Sequence, residues 1–200
     1  GGPGGFWHYD ASGWQPITQI TGMVSAIYED TDGTVWAGGY NAIHRYDDVN
    51  GWQHQPLNTS MVVTIHKDKN GILWLGDGNG LWRYDNEGWQ QQPLEYLPQA
   101  PKNINIIYED KDNTLWMGGP GGFWHYDVSD WQRESHIAGG ITGWGFVYED
   151  KEGTLWVAAS WAGLWRYGAD GWQLQVPLEM VAGGFELEDQ YGNLWLGGED

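Results

Sequence analysis

Carboxylates, imidazoles and indoles are the groups whose spacing in this chain could do chemistry. Asp and Glu together number 27, against nine Lys and Arg and six His. Paired carboxylates are the machinery of glycoside hydrolysis, one as acid and one as base or nucleophile. Here they fall on short turn segments at regular positions, such as Glu29-Asp30, Glu109-Asp110 and Glu149-Asp150, which is how solvated acidic loops are placed. The Asp30-Thr31-Asp32-Gly33 turn resembles the start of a calcium loop, but such a loop needs further oxygen ligands and a distal Glu. None is in register. His8, His44, His54, His66, His125 and His136 show neither metal-ligand spacing nor a partner nucleophile at a strained elbow. The expectation is a protein without catalytic residues, metal or cofactor. A rim of acidic turns would still concentrate negative potential and suit loose cations or a basic partner.

The indoles have two readings. An array of tryptophans could bind sugars, and a lectin with repeated sites between sheets is the alternative expectation. Aromatics recurring in register are, however, what packing between neighbouring sheets requires. Val35-Trp36, Leu73-Trp74, Leu115-Trp116, Leu155-Trp156 and Leu194-Trp195 recur at close to forty residues. Trp-Gln recurs at Trp14, Trp52, Trp89, Trp131 and Trp172, and a third marker falls at Trp7, Trp82, Trp124 and Trp165, with His44 as its exception. Of the 16 tryptophans, only Trp144 and Trp161 lie outside these positions. Arg45, Arg83 and Arg166 occur in three units, with His8 and His125 in the others, so a lectin-like Trp–Arg pair is not repeated throughout.

The elements that must position these groups are short strands. Each unit has an apolar first strand, an Asp/Asn/Gly turn, a second strand carrying Leu-Trp, a Gly-rich loop, a third strand and a fourth strand at Trp-Gln. Asp, Asn and Gly supply the acceptors and the positive φ of tight hairpins. Four antiparallel strands in each unit of about forty residues is the pattern of a propeller blade. The units are 14–51, 52–88, 89–130 and 131–171, with 172–200 completed by 1–13. The expected fold is all-β: a single-domain, five-bladed β-propeller over 1–200, its last blade closed by strands from both termini. Pairing the ends removes open edges that invite association, so a monomer is expected.

The segments Asp189 to Gly198 and Gly80 to Asp85 resemble the two-component regulator propeller repeat. That resemblance covers essentially the whole chain. It implies an extracytoplasmic (periplasmic or secreted) sensor-type propeller that binds a ligand, often an oligosaccharide, or serves as a scaffold. Residues 1–10 and 118–127 are identical, which points to recent amplification or to assembly by engineering. The chain begins at Gly1 rather than Met and shows no signal peptide, as expected of a processed product, an excised domain or an engineered protein.

Charge excludes other classes. A formal net charge of −18 opposes binding to nucleic acid, which rests on Lys and Arg displacing counterions, and to anionic membrane surfaces. With no cysteine, neither disulfides nor thiol chemistry can take part. Recognition is expected where the repeat is broken. Trp144 and Trp161 stand at loops on one face of one unit, with Tyr40, Asp77 and Tyr96 at comparable junctions elsewhere. Together they are the expected ligand-binding residues for a small sugar or other flat ligand.

Overall fold

Apolar segments cut at regular intervals by Asp- and Gly-containing turns fold as strands in the computed structural model, which describes residues 5–94, 101–127, 130–137, 140–141, 145–159, 162–176 and 186–196. Among these residues there is no helix. The chain divides into two compact units, Gly1–Gln92 and Pro93–Asp200.

The first unit opens with a hairpin, β1 (Trp7–Asp10) and β2 (Gly13–Pro16). A four-stranded antiparallel meander follows: β3 (Val24–Glu29), β4 (Val35–Gly39), β5 (Ala42–Asp47) and β6 (Gly51–Gln55). A second meander comprises β7 (Val62–Lys67), β8 (Leu73–Asp77), β9 (Gly80–Asp85) and β10 (Gly88–Gln91). The second unit repeats the plan. Its meanders are β11 (Ile106–Glu109), β12 (Leu115–Gly119), β13 (Gly122–Asp127) and β14 (Asp130–Arg133), then β15 (Phe146–Glu149), β16 (Leu155–Ala159), β17 (Gly163–Gly168) and β18 (Gly171–Val176). It ends in a hairpin, β19 (Glu186–Glu188) and β20 (Leu194–Leu196).

Register is the same in every meander. One row across the sheet reads Tyr28–Trp36–Arg45–Gln53 in the first and Tyr108–Trp116–His125–Gln132 in the third. The turn between the first two strands fixes it. The Asp30 N–H donates to Thr34 O at 2.8 Å and the Gly33 N–H to Asp30 O at 2.9 Å, and both bonds recur from Asp68, Asp110, Asp150 and Asp189. The fourth turn residue has φ between 66° and 83° in all five copies, as Gly33, Gly71, Asn113, Gly153 and Gly192. That is left-handed backbone, which Gly and Asn tolerate best.

Large aromatics fill the space between consecutive meanders. Trp36 of β4 meets Tyr84 at 5.2 Å and stands perpendicular to Trp89 at 5.7 Å. Trp116 of β12 does the same with Tyr167 at 5.9 Å and Trp172 at 5.8 Å. Around them lie Ile43, Val62 and Leu75 in the first unit, and Phe123, Val147 and Val157 in the second. The close approach depends on glycine: a side chain on Gly38 would overlap Val62, and one on Gly118 would overlap Ile141 and Ile106.

Each hairpin extends this stacking by half a blade. β1–β2 packs Phe6, with Ile17 and Ile20, on Val24, Ala37 and Trp52. Phe6 meets the Trp52 edge at 5.5 Å, as Phe123 meets Trp172 at 6.0 Å. β1–β2 therefore holds the place of the third and fourth strands of a preceding blade. β19–β20 is the first and second strands of a following one, joined to β15–β18 through Glu188. Trp7, Trp14 and Trp195 of these half-blades are exposed, although their equivalents in whole blades are buried or half-buried.

Candidate functional site

The repeated turn is a small polar device. In four of its five copies the turn Asp spends one oxygen on the backbone and the other on the indole of the second strand. Asp110 Oδ1 accepts from Thr114 N at 2.8 Å while Oδ2 accepts from Trp116 Nε1 at 2.8 Å. The same pair of bonds joins Asp68 to Ile72 and Trp74, Asp150 to Thr154 and Trp156, and Asp189 to Asn193 and Trp195. The acidic turns thus hold the core tryptophans in place. Donation from the Asn193 side chain and backbone, then from Trp195, keeps the Asp189 carboxyl far below the usual carboxylate range.

A second device joins consecutive blades. The Lys111 N–H donates to Glu149 Oε2 at 2.8 Å, and its ammonium reaches over Gly153 to Glu152 O at 3.2 Å. Lys151 repeats this on Glu188: the N–H donates to Oε2 at 3.1 Å, and Nζ lies 3.2 Å from Oε1 and 2.7 Å from Asp189 O. Tyr148 donates its hydroxyl to Glu188 Oε2 at 3.0 Å. Burial works against ionisation of Glu188, but Tyr148 and Lys151 outweigh it and hold the carboxyl below its ordinary value. Burial, together with that bond and the Glu188 charge, pushes the Tyr148 phenol up to about 12.

These shifts predict the pH limits of stability. Asp189 and Glu188, with Asp32 and Asp47, have folded pKa values below their unfolded ones. Their contribution is present at neutral pH and is lost as pH falls below about 4, where the unfolded carboxylates take up protons. Tyr148 acts at the other end. Its contribution is intact below pH 10.0 and is lost as pH rises from there to about 12. Urea midpoints against pH should fall on both sides, and Tyr148→Phe should flatten the alkaline limb and, by removing a donor to Glu188, lessen the acid limb as well.

The first pair of blades departs from both rules. Thr31 stands where Lys111 and Lys151 stand in later turns, and Lys67 replaces the receiving Glu. The charge is reversed, so Lys67 reaches back and pairs with Asp30 Oδ2. Asp30 Oδ1 turns to Thr31 N at 2.7 Å, and Asp32 takes over the Thr34 N–H at 2.9 Å. Trp36 consequently loses the acceptor that every other second-strand tryptophan has. Among the described residues nothing lies across Gly71 as Lys111 lies across Gly153; the nearest atom to an added Cβ there is Lys67 Cε at 3.9 Å. A cavity of about 450 Å³ opens at this place, walled by Asp30, Trp36, Lys67, Tyr84, Asp85 and Glu87.

The residues expected to bind ligand are placed as follows. Tyr40 follows β4 at the end of the sheet away from the hairpin turns, and it is 67% exposed. It bridges to Met61, and the neighbouring Asn41 N–H donates to Ser60 O at 2.9 Å. Asp77 ends β8 on the other side of that Ser60-Met61 segment, so the structure brings Tyr40 and Asp77 to one corner. Asp77 is fully buried, with Oδ2 accepting from Ser60 N at 2.7 Å and Oδ1 from Asn79 N at 2.8 Å and Trp82 Nε1 at 3.3 Å. Its oxygens serve the corner itself. Tyr96, Trp144 and Trp161 lie outside the described residues. The cavity over Trp36 was missed by sequence reasoning, although its signal was present: Thr31 stands where later turns carry Lys111 and Lys151, and Lys67 where they carry Glu149 and Glu188.

Comparison with known proteins agrees with this architecture. The family profile for the two component regulator propeller matches residues 18–41 and 98–121, each spanning the first and second strands of a blade. No curated protein matches the chain. Among solved structures, the extracellular domain assigned to the hybrid two component system BT3049 of B. thetaiotaomicron is 16% identical with a TM-score of 0.71, over 96% of this chain and 27% of that one. The extracellular domain assigned to the one component system BT4673 of the same organism is 22% identical with a TM-score of 0.68, over 92% and 27%. The chain therefore spans about a quarter of the length of these relatives. A selenomethionine-substituted virginiamycin B lyase from Staphylococcus aureus is 16% identical with a TM-score of 0.62, over 86% and 62%. The fold is that of a β-propeller, and the regulator propeller repeat noted in the sequence is present. Among the described residues no helix is long and apolar enough to cross a membrane.

Proposed function

We propose that the chain is a non-enzymatic, extracytoplasmic propeller module of a sensor, acting as a ligand-binding or scaffold element and closed as a five-bladed, monomeric ring. The observation that carries it is the complementarity of the two half-blades. β1–β2 stands for the third and fourth strands of a blade and β19–β20 for the first and second, and the exposed Trp7, Trp14 and Trp195 are the apolar surface that joining them would cover. The regulator propeller matches and the two extracellular-domain neighbours support the sensor context and the location.

The repeat gives the closure a register. Residues 5–9 are identical to 122–126, and in the third blade Tyr126 lies opposite Leu115. Tyr9 should accordingly face Leu194. A Tyr9→Cys, Leu194→Cys variant of this otherwise cysteine-free chain is expected to form an intramolecular disulfide on oxidation, with light scattering giving a monomer mass. Intermolecular bridges, or no bridge in a folded monomer, would overturn the closure. Recognition of a small sugar or other flat ligand is proposed for the loop face carrying Tyr40. There Tyr40→Ala should weaken ligand by about tenfold while leaving the melting temperature within a degree or two, since an exposed side chain contributes little to folding.

A further inference from the structure

The cavity between the β3–β6 and β7–β10 sheets is distinct from that loop face. It is formed within residues 30–88 alone, so it stands whether or not the ring closes. We propose that it binds a small zwitterion, a free α-amino acid or a short peptide with both its termini charged.

The lining is polar in a divided way. On one side stand two donors. The Lys67 ammonium has three N–H groups and gives one to Asp30. The Trp36 indole N–H lacks the Asp oxygen that its four counterparts bond. On the other side is the β9–β10 turn, which carries Asp85 and Glu87. Asp85 Oδ2 is engaged by Arg83 at 2.8 Å, and Oδ1 accepts from Glu87 N at 2.8 Å. Among the described residues Glu87 has only the neutral amide of Gln90, at 3.1 Å on Oε2, and no cation pairs with its charge. A carboxylate fits the donor side and an ammonium the Glu87 side, each as a charge-assisted bond. Trp36 and Tyr84 supply an apolar wall for the group between them. The volume of about 450 Å³ lies within the range of small-molecule sites and leaves room for a side chain.

A single anion would meet the charge of Glu87, and a single cation would leave the remaining Lys67 N–H groups and the Trp36 N–H without an acceptor. Only a ligand carrying both charges at opposite ends satisfies both walls. The substitution pattern agrees: the change that opens the cavity, Thr31 for Lys, comes with the change that supplies its cation, Lys67 for Glu.

Calorimetric titration of the full chain with the twenty amino acids and a set of unblocked dipeptides should find at least one that binds at millimolar concentration or below. N-acetylating or amidating that ligand should each weaken it by about tenfold or more, as should Glu87→Gln, because each deletes one charge-assisted contact. The double variant Thr31→Lys, Lys67→Glu rebuilds the Lys111–Glu149 clasp at this place and should abolish binding with the melting temperature kept. Stronger binding of free amino acids or of dipeptides identifies the source. Silence across the whole panel would overturn the proposal, as would blocked ligands binding as well as unblocked ones or heats unchanged in Glu87→Gln. A ring shown closed by the Tyr9–Leu194 bridge, together with a silent panel, would sink this site and leave the sensor reading standing.

Discussion

Trp116→Ala is expected to lower the stability of the chain by about 3–5 kcal/mol, read as a shift in urea midpoint at constant slope. Three losses combine. The indole is 3% exposed, and its removal leaves a void between two blades that neither sheet can close. It stacks on Phe123 with the rings 5.1 Å apart and 8° from parallel, and it stands edge-on to Trp172. Its Nε1 also satisfies Asp110 Oδ2, which alanine would leave inside the turn without that donor. Tyr40→Ala provides the contrast, with an expected change within about 0.5 kcal/mol. Trp195→Ala reads the proposed closure from the same assay. In an open chain the 62% exposed indole should cost little, whereas a covered one should approach the cost at Trp116.

How much of this could be seen before the structure depends on what each residue was chosen by. The strands, their hairpins and their order were legible because the Asp-to-Gly turn and the Leu-Trp strand are dictated locally, by φ and by burial, and repeat five times. The place of Trp36 and Trp116 in the core followed from the same register. What could not be read was the use to which individual polar groups are put. In the sequence Asp77 stands at a loop junction as a candidate ligand contact, and only the fold shows Ser60, Asn79 and Trp82 converging on it. The turn carboxylates looked like solvated charge, yet Asp110 and Asp150 each bind an indole N–H six residues on. The cavity over Trp36 arises from a pair of substitutions, Thr31 and Lys67, 36 positions apart, and their relation needs the packing of two sheets to become visible. Regularity betrays the scaffold, while a site lies in the departures, whose meaning is set by neighbours distant in sequence.

Gly119→Ala is the second change expected to have a large effect, and it tests the packing of backbone rather than of side chains. A Cβ at Gly119 would sit 2.0 Å from Asn103 O, and one at Gly39 would sit 1.9 Å from Met23 O. The obstacle in both is a main-chain carbonyl that cannot swing aside like the end of a flexible side chain. It belongs to the segment leading into the first strand of the same blade, so the second strand or that segment must shift. At Gly39 the shift would break the Val24–Gly39 pairing, and at Gly119 it would disturb the Asn105 N–H bond to Gly118 O at 2.8 Å. A single methyl is therefore expected to cost about 3 kcal/mol, the upper part of the range for overpacking. Gly88→Ala, where nothing lies within 4 Å of the added carbon, carries only the penalty of its φ of 88° and should cost about 1 kcal/mol. The order Gly119 above Gly88 in urea titration follows if the second strand is clamped by the backbone beside it. The reverse order would mean that conformational strain in the turns, rather than close approach within the blade, is why glycine is used throughout the repeat.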